Sequence, residues 1–380
     1  MTHRIIKDEI VKSAKSVLIL GPRQVGKSTL ISEIKVDLKI NLADEFEFLK
    51  FSSDPNELKN LISLNKPQKI FVDEIQRIPS LLNTIQYLID ENKKLKFYLT
   101  GSSARKLRRG NANLLPGRIF NFQLGPLIAS ELNSDFNIKK ALSVGLLPEV
   151  YLNKVSSQSI QLLKSYTALY LKEEIKAEAL VRNLESFARF LTEVVQSVSQ
   201  FVDFTKLAQK AKISRHAVPR YFEILEDTMI GYRVHPCPAL MDDYDLIKHP
   251  RFYFFDTGVY NALQGNFEPS LDRIGVLAEQ LVFNQLMHSA WAYSEDIQIN
   301  TFRTRSGQEV DFIIKLKNKL IGIEVKSSDH FSSSEIETLI SLKNKKLIQQ
   351  GFVFHTKTKE EKIGPIWSLP LQKGLKELGL

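Results

Sequence analysis

Cysteine is almost absent from this 380-residue chain: the single Cys237 excludes an intramolecular disulfide and any metal site built from several cysteines. That usage fits a reducing compartment. Long apolar runs are missing too. Within the first 30 residues the longest is VLIL at 17–20, and no segment approaches the ~18 apolar residues that cross a bilayer. The expectation is a soluble, cytoplasmic protein with no membrane partner. Internal repeats and low-complexity tracts are lacking, so domain divisions rest on periodicity and turn chemistry. Acidic residues are outnumbered, 43 against 52 Lys and Arg, for a formal charge of +9. The excess favours a polyanionic partner, and a diffuse positive surface accounts for it equally well. Apolar residues, by contrast, make up 43% of the chain, enough to fill the cores of two or three domains of ~100–200 residues.

The pattern divides into four parts. Residues 1–136 alternate short apolar runs, VLIL (17–20), KIFVDE (69–74) and KFYLTGSS (96–103), with amphipathic stretches, the signature of βα units and a parallel sheet. Residues 137–200 turn helical and read as a lid or linker. Residues 201–264 begin with helix, tight turn, helix and a β-rich tail, the order of a winged helix-turn-helix. Residues 265–380 form a second α/β unit. It has a helix, three strands across 303–326 joined by Ser-Gly and Lys-Asn turns, a helix near 333–348 and a strand at 351–354.

GPRQVGKS at 21–28 fits G-x-x-x-x-G-K-[ST] and lies between an apolar strand and a helix, as a phosphate-binding loop requires. Gly21 and Gly26 let the backbone curl around Pro22, Arg23, Gln24 and Val25, so that successive N–H groups face phosphate oxygens, aided by the helix N-terminus. Lys27 then reaches the outer phosphates, and Ser28, or failing it Thr29, offers a hydroxyl to Mg²⁺. Asp73 and Glu74 end the apolar strand Ile70–Val72, expected to lie beside the loop strand. Asp73 faces the metal shell there and Glu74 polarises an attacking water. A carboxylate pair at a helix N-terminus is the bland alternative. Thr100, Ser102 and Ser103 follow the strand KFYL, where a polar residue can sense the γ-phosphate or merely cap a turn. Arg105, Arg108, Arg109 and Arg118 are candidate neutralisers of phosphate charge. One supplied by a neighbouring copy would imply a homo-oligomer, which the sequence leaves open.

A second constellation lies near the C-terminus. Glu279 falls in the amphipathic pattern LDRIGVLAEQLVFNQL, Asp311 in EVDFII, and Glu324 and Lys326 flank Val325 in IGIEVK. Positions 324 and 326 share a strand face, so carboxylate and ammonium stand side by side. Asp311 and Glu324, with Glu279, are candidate Mg²⁺ ligands, and Lys326 a candidate for placing the water. A cross-strand ion pair would also produce E-x-K. In the helix-turn-helix, Ser214 is a candidate cap for a helix displaying Arg215, His216 and Arg220, but Pro219 about one turn in should kink or shorten it. A small helical packing module fits the same pattern.

At GPRQVGKST, FVDEIQRIP, YLTGSSARKL, LLPGRIFNFQLGPLIASEL, GLLPEVYL, YLKEEI, FYFFDTGVYNAL, RTRSGQEVDFII and IEVKSS, the chain resembles a prokaryotic family of AAA-type ATPases whose C-terminal half is a domain of unknown function. The resemblance covers essentially the whole chain. It implies an ATPase core, a winged-helix segment and a restriction-endonuclease-like domain of the PD-(D/E)XK type. Gly21, Gly26, Lys27, Ser28, Asp73 and Glu74 match its nucleotide motifs. Glu279, Asp311, Glu324 and Lys326 match the nuclease pattern, although Val310 stands where that pattern has proline. The resulting expectation is an enzyme that binds and hydrolyses ATP with Mg²⁺ and acts on DNA through a nuclease-like domain. The alternatives are an ATP-dependent switch or scaffold whose nuclease fold binds a partner without cutting, and a nucleotide-controlled transcription regulator.

Overall fold

The computed structural model describes residues 2–102, 115–171, 184–328 and 330–380. The chain divides into two compact units, one comprising the chain up to Pro126 with Asp227–Met229, the other Leu127–Glu226 with Ile230–Leu380.

The first unit contains α1 (Lys7–Lys12), β1 (Ser16–Leu20), α2 (Lys27–Ser32), β2 (Leu38–Asn41), α3 (Glu45–Ser53), α4 (Glu57–Asn65), β3 (Lys69–Asp73), α5 (Leu81–Glu91), β4 (Lys96–Gly101) and β5 (Ile119–Gln123). The strands form one parallel sheet in the order β2-β3-β4-β1-β5. β1 is buried at every position, as a strand covered on both faces must be. α5 buries Leu81, Leu82, Ile85, Leu88 and Ile89, a spacing that keeps one helical face apolar. Asp44 caps α3, accepting the N–H groups of Phe46 and Glu47. The strand order corrects one expectation: β3, which carries Asp73, does not adjoin β1. β4 stands between them, because Phe97, Tyr98 and Leu99 are buried and need cover on both faces. Thr100 at its end thereby lies between the loop strand and Asp73.

The second unit contains α6 (Ala129–Leu132), α7 (Ile138–Val144), α8 (Pro148–Tyr151), α9 (Ser156–Ser165), α10 (Leu184–Gln196), α11 (Phe204–Ala211), α12 (Ala217–Asp227), β6 (Gly231–Val234), β7 (Arg251–Phe254), α13 (Thr257–Gln264), α14 (Ile274–Ala292), β8 (Ile297–Arg303), β9 (Glu309–Leu316), β10 (Lys319–Lys326), α15 (Glu337–Asn344), β11 (Gln350–His355), β12 (Glu361–Ile363), β13 (Ile366–Pro370) and α16 (Leu371–Leu378). Six strands form a mixed sheet, β12-β13-β11-β10-β9-β8, parallel at β10–β11 and β11–β13 and antiparallel elsewhere. The β9–β10 turn places Lys317 and Asn318 at positive φ, as a tight two-residue hairpin demands. Alternate residues serve two cores. Phe312, Ile314 and Ile323 share one with α14 and α16, while Ile313 shares another with α15 and the Cys237–Leu246 loop.

Two further expectations need correction here. α14 is not amphipathic: its residues from Leu277 to Ala292 are buried apart from Glu279 and Trp291, because sheet strands and helices pack around it. α12 begins at Ala217, leaving Ser214, Arg215 and His216 in the preceding turn. Pro219 then sits in the first helical turn, where its missing N–H is not needed. Ser214 contributes its backbone carbonyl to the Ala217 N–H rather than a side-chain cap.

Candidate functional site

In the first unit the loop from Gly21 to Lys27 joins β1 to α2. Gly26 has φ of 93°, a left-handed conformation that a side chain would strain. A Cβ on Gly21 would overlap the Leu124 carbonyl, so this position has room only for glycine. Gln24 also takes positive φ, while Val25 is buried and anchors the loop. Lys27 is only 5% exposed, and its Nζ donates to the carbonyls of Gly21 and Pro22 at 2.8 Å each. The Ser28 and Thr29 side chains are exposed. They line a cavity of about 330 Å³ with Asn41 and Asp73.

Asp73 accepts a hydrogen bond from the buried Thr100 hydroxyl, and Thr100 Oγ1 in turn accepts the Glu74 N–H at 3.2 Å. Glu74 has φ of 57°, turning its side chain away from the line of β3. Its carboxylate accepts from Gln76 Nε2, which also donates to Ser102 Oγ at 3.0 Å. Thr100 is therefore tied directly to Asp73 and Glu74, and Ser102 is linked to Glu74 through Gln76. Arg118 is bound by Asp90, with Nη2 2.8 Å from the carboxylate, and this pairing followed by Lys93 lowers the Asp90 pKa to about 2. Arg23 is partly buried within the loop. Ser103, Arg105, Arg108 and Arg109 lie outside the described residues.

The donor set fits Mg²⁺-ATP: two exposed hydroxyls after the lysine, and a carboxylate opening on the same cavity. Arg4 was not apparent from the sequence motifs. Its guanidinium donates to Val25 O at 2.7 Å and to Gly125 O at 2.8 Å, bracing the loop from outside. No sequence signal pointed to it, since its partners lie 21 and 121 residues away.

In the second unit the C-terminal carboxylates do come together, around a residue the motif reading did not include. Arg251, 4% exposed at the start of β7, donates from Nη1 to Glu279 at 2.7 Å and to Asp311 at 3.3 Å, and from Nη2 to Glu309. The Phe201 ring covers the guanidinium, its centroid 4.7 Å away. Tyr253 donates its hydroxyl to Glu279, and Asp311 Oδ2 accepts the Val325 N–H at 2.9 Å. Glu324 accepts from Lys326 at 3.1 Å, as the strand spacing requires, and Lys326 also lies 3.7 Å from Glu335. The cation facing Asp311 is thus Arg251, and Lys326 belongs to Glu324. Burial, then the charge of Asp311, pushes the Glu279 pKa up to about 7 and that of Glu324 up to about 8.

This donor set does not fit the Mg²⁺ that the resemblance implies. Glu279 and Asp311 face a guanidinium and Glu324 faces an ammonium. Among the described residues no group of three His, Cys, Asp or Glu side chains is arranged to hold a metal ion.

Residues 13–133 match the family described as "AAA domain". The first section is an AAA domain of the P-loop type. Residues 274–373 match a domain of unknown function, DUF4143, and residues 135–270 match another, DUF8612. No curated protein matches the sequence. Among solved structures, the replication initiator DnaA bound to AMPPCP and single-stranded DNA is similar at 13% identity and a TM-score of 0.28, over 58% of this chain and 86% of that one. A DNA replication initiation factor is similar at 14% identity and a TM-score of 0.26, over 59% and 75%. A structure of Pif1 helicases on forked double-stranded DNA is similar at 13% and 0.24, over 43% and 51%. Among the described residues no helix is long and apolar enough to cross a membrane.

Proposed function

We propose that the AAA domain binds and hydrolyses ATP with Mg²⁺, and that the rest of the chain turns this cycle into an action on DNA. The observation that carries the ATPase reading is the shared cavity. Ser28, Thr29 and Asp73 line one space, beside a loop whose buried lysine donates to that loop's own Gly21 and Pro22 carbonyls. On nucleotide binding the Lys27 ammonium exchanges the Gly21 and Pro22 carbonyls for β- and γ-phosphate oxygens, and the loop N–H groups take up the remaining negative charge. Mg²⁺ would be held by Ser28 and Asp73 and would neutralise charge on the phosphates. Glu74 accepts a proton from the attacking water, with Gln76 fixing its carboxylate and Thr100 fixing Asp73.

Lys27→Ala should lose most ATP affinity by calorimetry, and Glu74→Gln should keep it while turnover falls by ~10²–10⁴-fold. A Glu74→Gln protein of unchanged turnover removes Glu74 from this role.

The DNA part rests on the helix-turn-helix: Lys206, Lys210, Lys212, Arg215, His216 and Arg220 are all exposed on α11, α12 and the turn between them. The division into 1–136, 137–200, 201–264 and 265–380 belongs to the same proposal. A second reading assigns Mg²⁺-dependent cleavage to Glu279, Asp311, Glu324 and Lys326. The order helix, three antiparallel strands, helix, parallel strand from α14 to β11 supports it, and Arg251 among the carboxylates weighs against it.

A further inference from the structure

Three acidic side chains, Glu279 from α14 with Glu309 and Asp311 from β9, share the single guanidinium of Arg251, which β7 carries into the cluster. A divalent ion held between Glu279 Oε1 and Asp311 Oδ1 would have to stand where Nη1 now stands, 2.7 and 3.3 Å from those oxygens. The guanidinium cannot simply swing aside, because Phe201 covers its face and Nη2 is anchored on Glu309. Nor can it lose its charge, since arginine stays protonated in proteins. Around it, the same carboxylates accept further donors: Tyr253 donates to Glu279 and the Val325 N–H to Asp311 Oδ2. Arg303 adds a second guanidinium 3.3 Å from Glu309.

We propose that Arg251 is the resident cation of this cluster, a built-in replacement for a divalent ion, so that the C-terminal domain keeps its fold without metal and has no metal-dependent cleavage at this cluster. Because arginine has no exchangeable water to activate, the cluster supplies cohesion between α14, β7 and β9 and no hydrolytic nucleophile. The arrangement also makes a reversible prediction. Removing the guanidinium while keeping the carboxylates leaves Glu279 and Asp311 without the cation they share, while Glu309 keeps Arg303, and a divalent ion can take the vacated charge.

The test is Mn²⁺ binding to the full chain without nucleotide, read as free ion by electron paramagnetic resonance. Wild type and Asp311→Asn should titrate alike, and the wild-type melting temperature should not move with Mn²⁺. Arg251→Gln should gain about one bound ion per chain, and Arg251→Gln with Asp311→Asn should lose it again. Mn²⁺ bound by wild type and lost in Asp311→Asn overturns the proposal. So does a folded Arg251→Gln chain that gains no ion. Should Arg251→Gln fail to fold, the comparison of wild type with Asp311→Asn still decides. None of these outcomes depends on ATP hydrolysis, which Lys27→Ala tests separately.

Discussion

At the scale of the residue, two arginines do work that motif spacing does not announce. Arg251 converts a set of carboxylates from ligands into ion-pair partners. Arg4 acts on the nucleotide loop from outside it, since Val25 O and Gly125 O are both buried backbone acceptors that the guanidinium satisfies at 2.7 and 2.8 Å. Removing it leaves two carbonyls without this charged donor, at ~1.5–3 kcal/mol for a hydrogen bond to a charged group. Part of that loss falls on the loop's shape. Arg4→Ala should therefore weaken ATP binding by roughly tenfold by calorimetry, with Arg4→Lys recovering part because one donor still reaches one carbonyl. Unchanged affinity in Arg4→Ala would confine the contact to stability. Lys27, Asp73 and Glu74 were legible because each is defined by its neighbours in the chain. Gln76 and Thr100 acquire meaning only through the side chains they hold.

At the scale of the element, α11 and α12 present their basic residues outward while Phe222 packs on Phe190 and Phe204 within. Arg189 reinforces the turn between them, donating to the Ala211 carbonyl at 2.9 Å. A helix pair with a buried aromatic seam and a basic outer face can track a phosphate backbone. Arg215→Ala and Arg220→Ala should each weaken DNA binding across sequences alike and reduce the salt slope by about one unit. Filter binding from 50 to 200 mM salt checks this, and a slope unaltered in both variants would return the segment to a packing role. The position of Pro219 made a short α12 foreseeable. Its start at Ala217 was set by the proline's tolerance for the first turn, and Arg215 and His216 were moved into the turn as a result.

At the scale of the whole molecule, one buried acid ties distant stretches of the second unit together. Asp256 caps α13 through the Val259 N–H at 3.0 Å and also accepts the Leu146 N–H, 110 residues away, at 2.7 Å. Burial raises its pKa from 3.8 to about 6 despite these donors. A carboxyl whose folded pKa is raised contributes stability below its ordinary value and loses it as pH rises through the folded one. The loss accordingly falls between pH ~4 and ~6 and amounts to ~3 kcal/mol at most. Denaturant melts at pH 4.5 and 7 should show wild type losing stability relative to Asp256→Asn, which cannot titrate. Parallel pH profiles would rule out this coupling. Asp90, lowered to about 2 by Arg118 and then Lys93, acts in the opposite sense and in a lower window. The alternating runs and turn residues of the chain by themselves determined an α/β first section with a phosphate loop, the β9 and β10 strands with their Lys-Asn turn, and the side-by-side placement of Glu324 and Lys326, whereas the first of the three strands expected across 303–326 lies earlier, as β8. Those features depend on residues a few positions apart, where backbone period and turn chemistry act directly. Only the tertiary structure decided that β4 enters between β1 and β3, that α14 is enclosed on nearly all sides, and that Arg251 faces Glu279, Glu309 and Asp311. Each of those depends on which distant surfaces bury one another, and a buried carboxylate takes whichever cation the packing delivers.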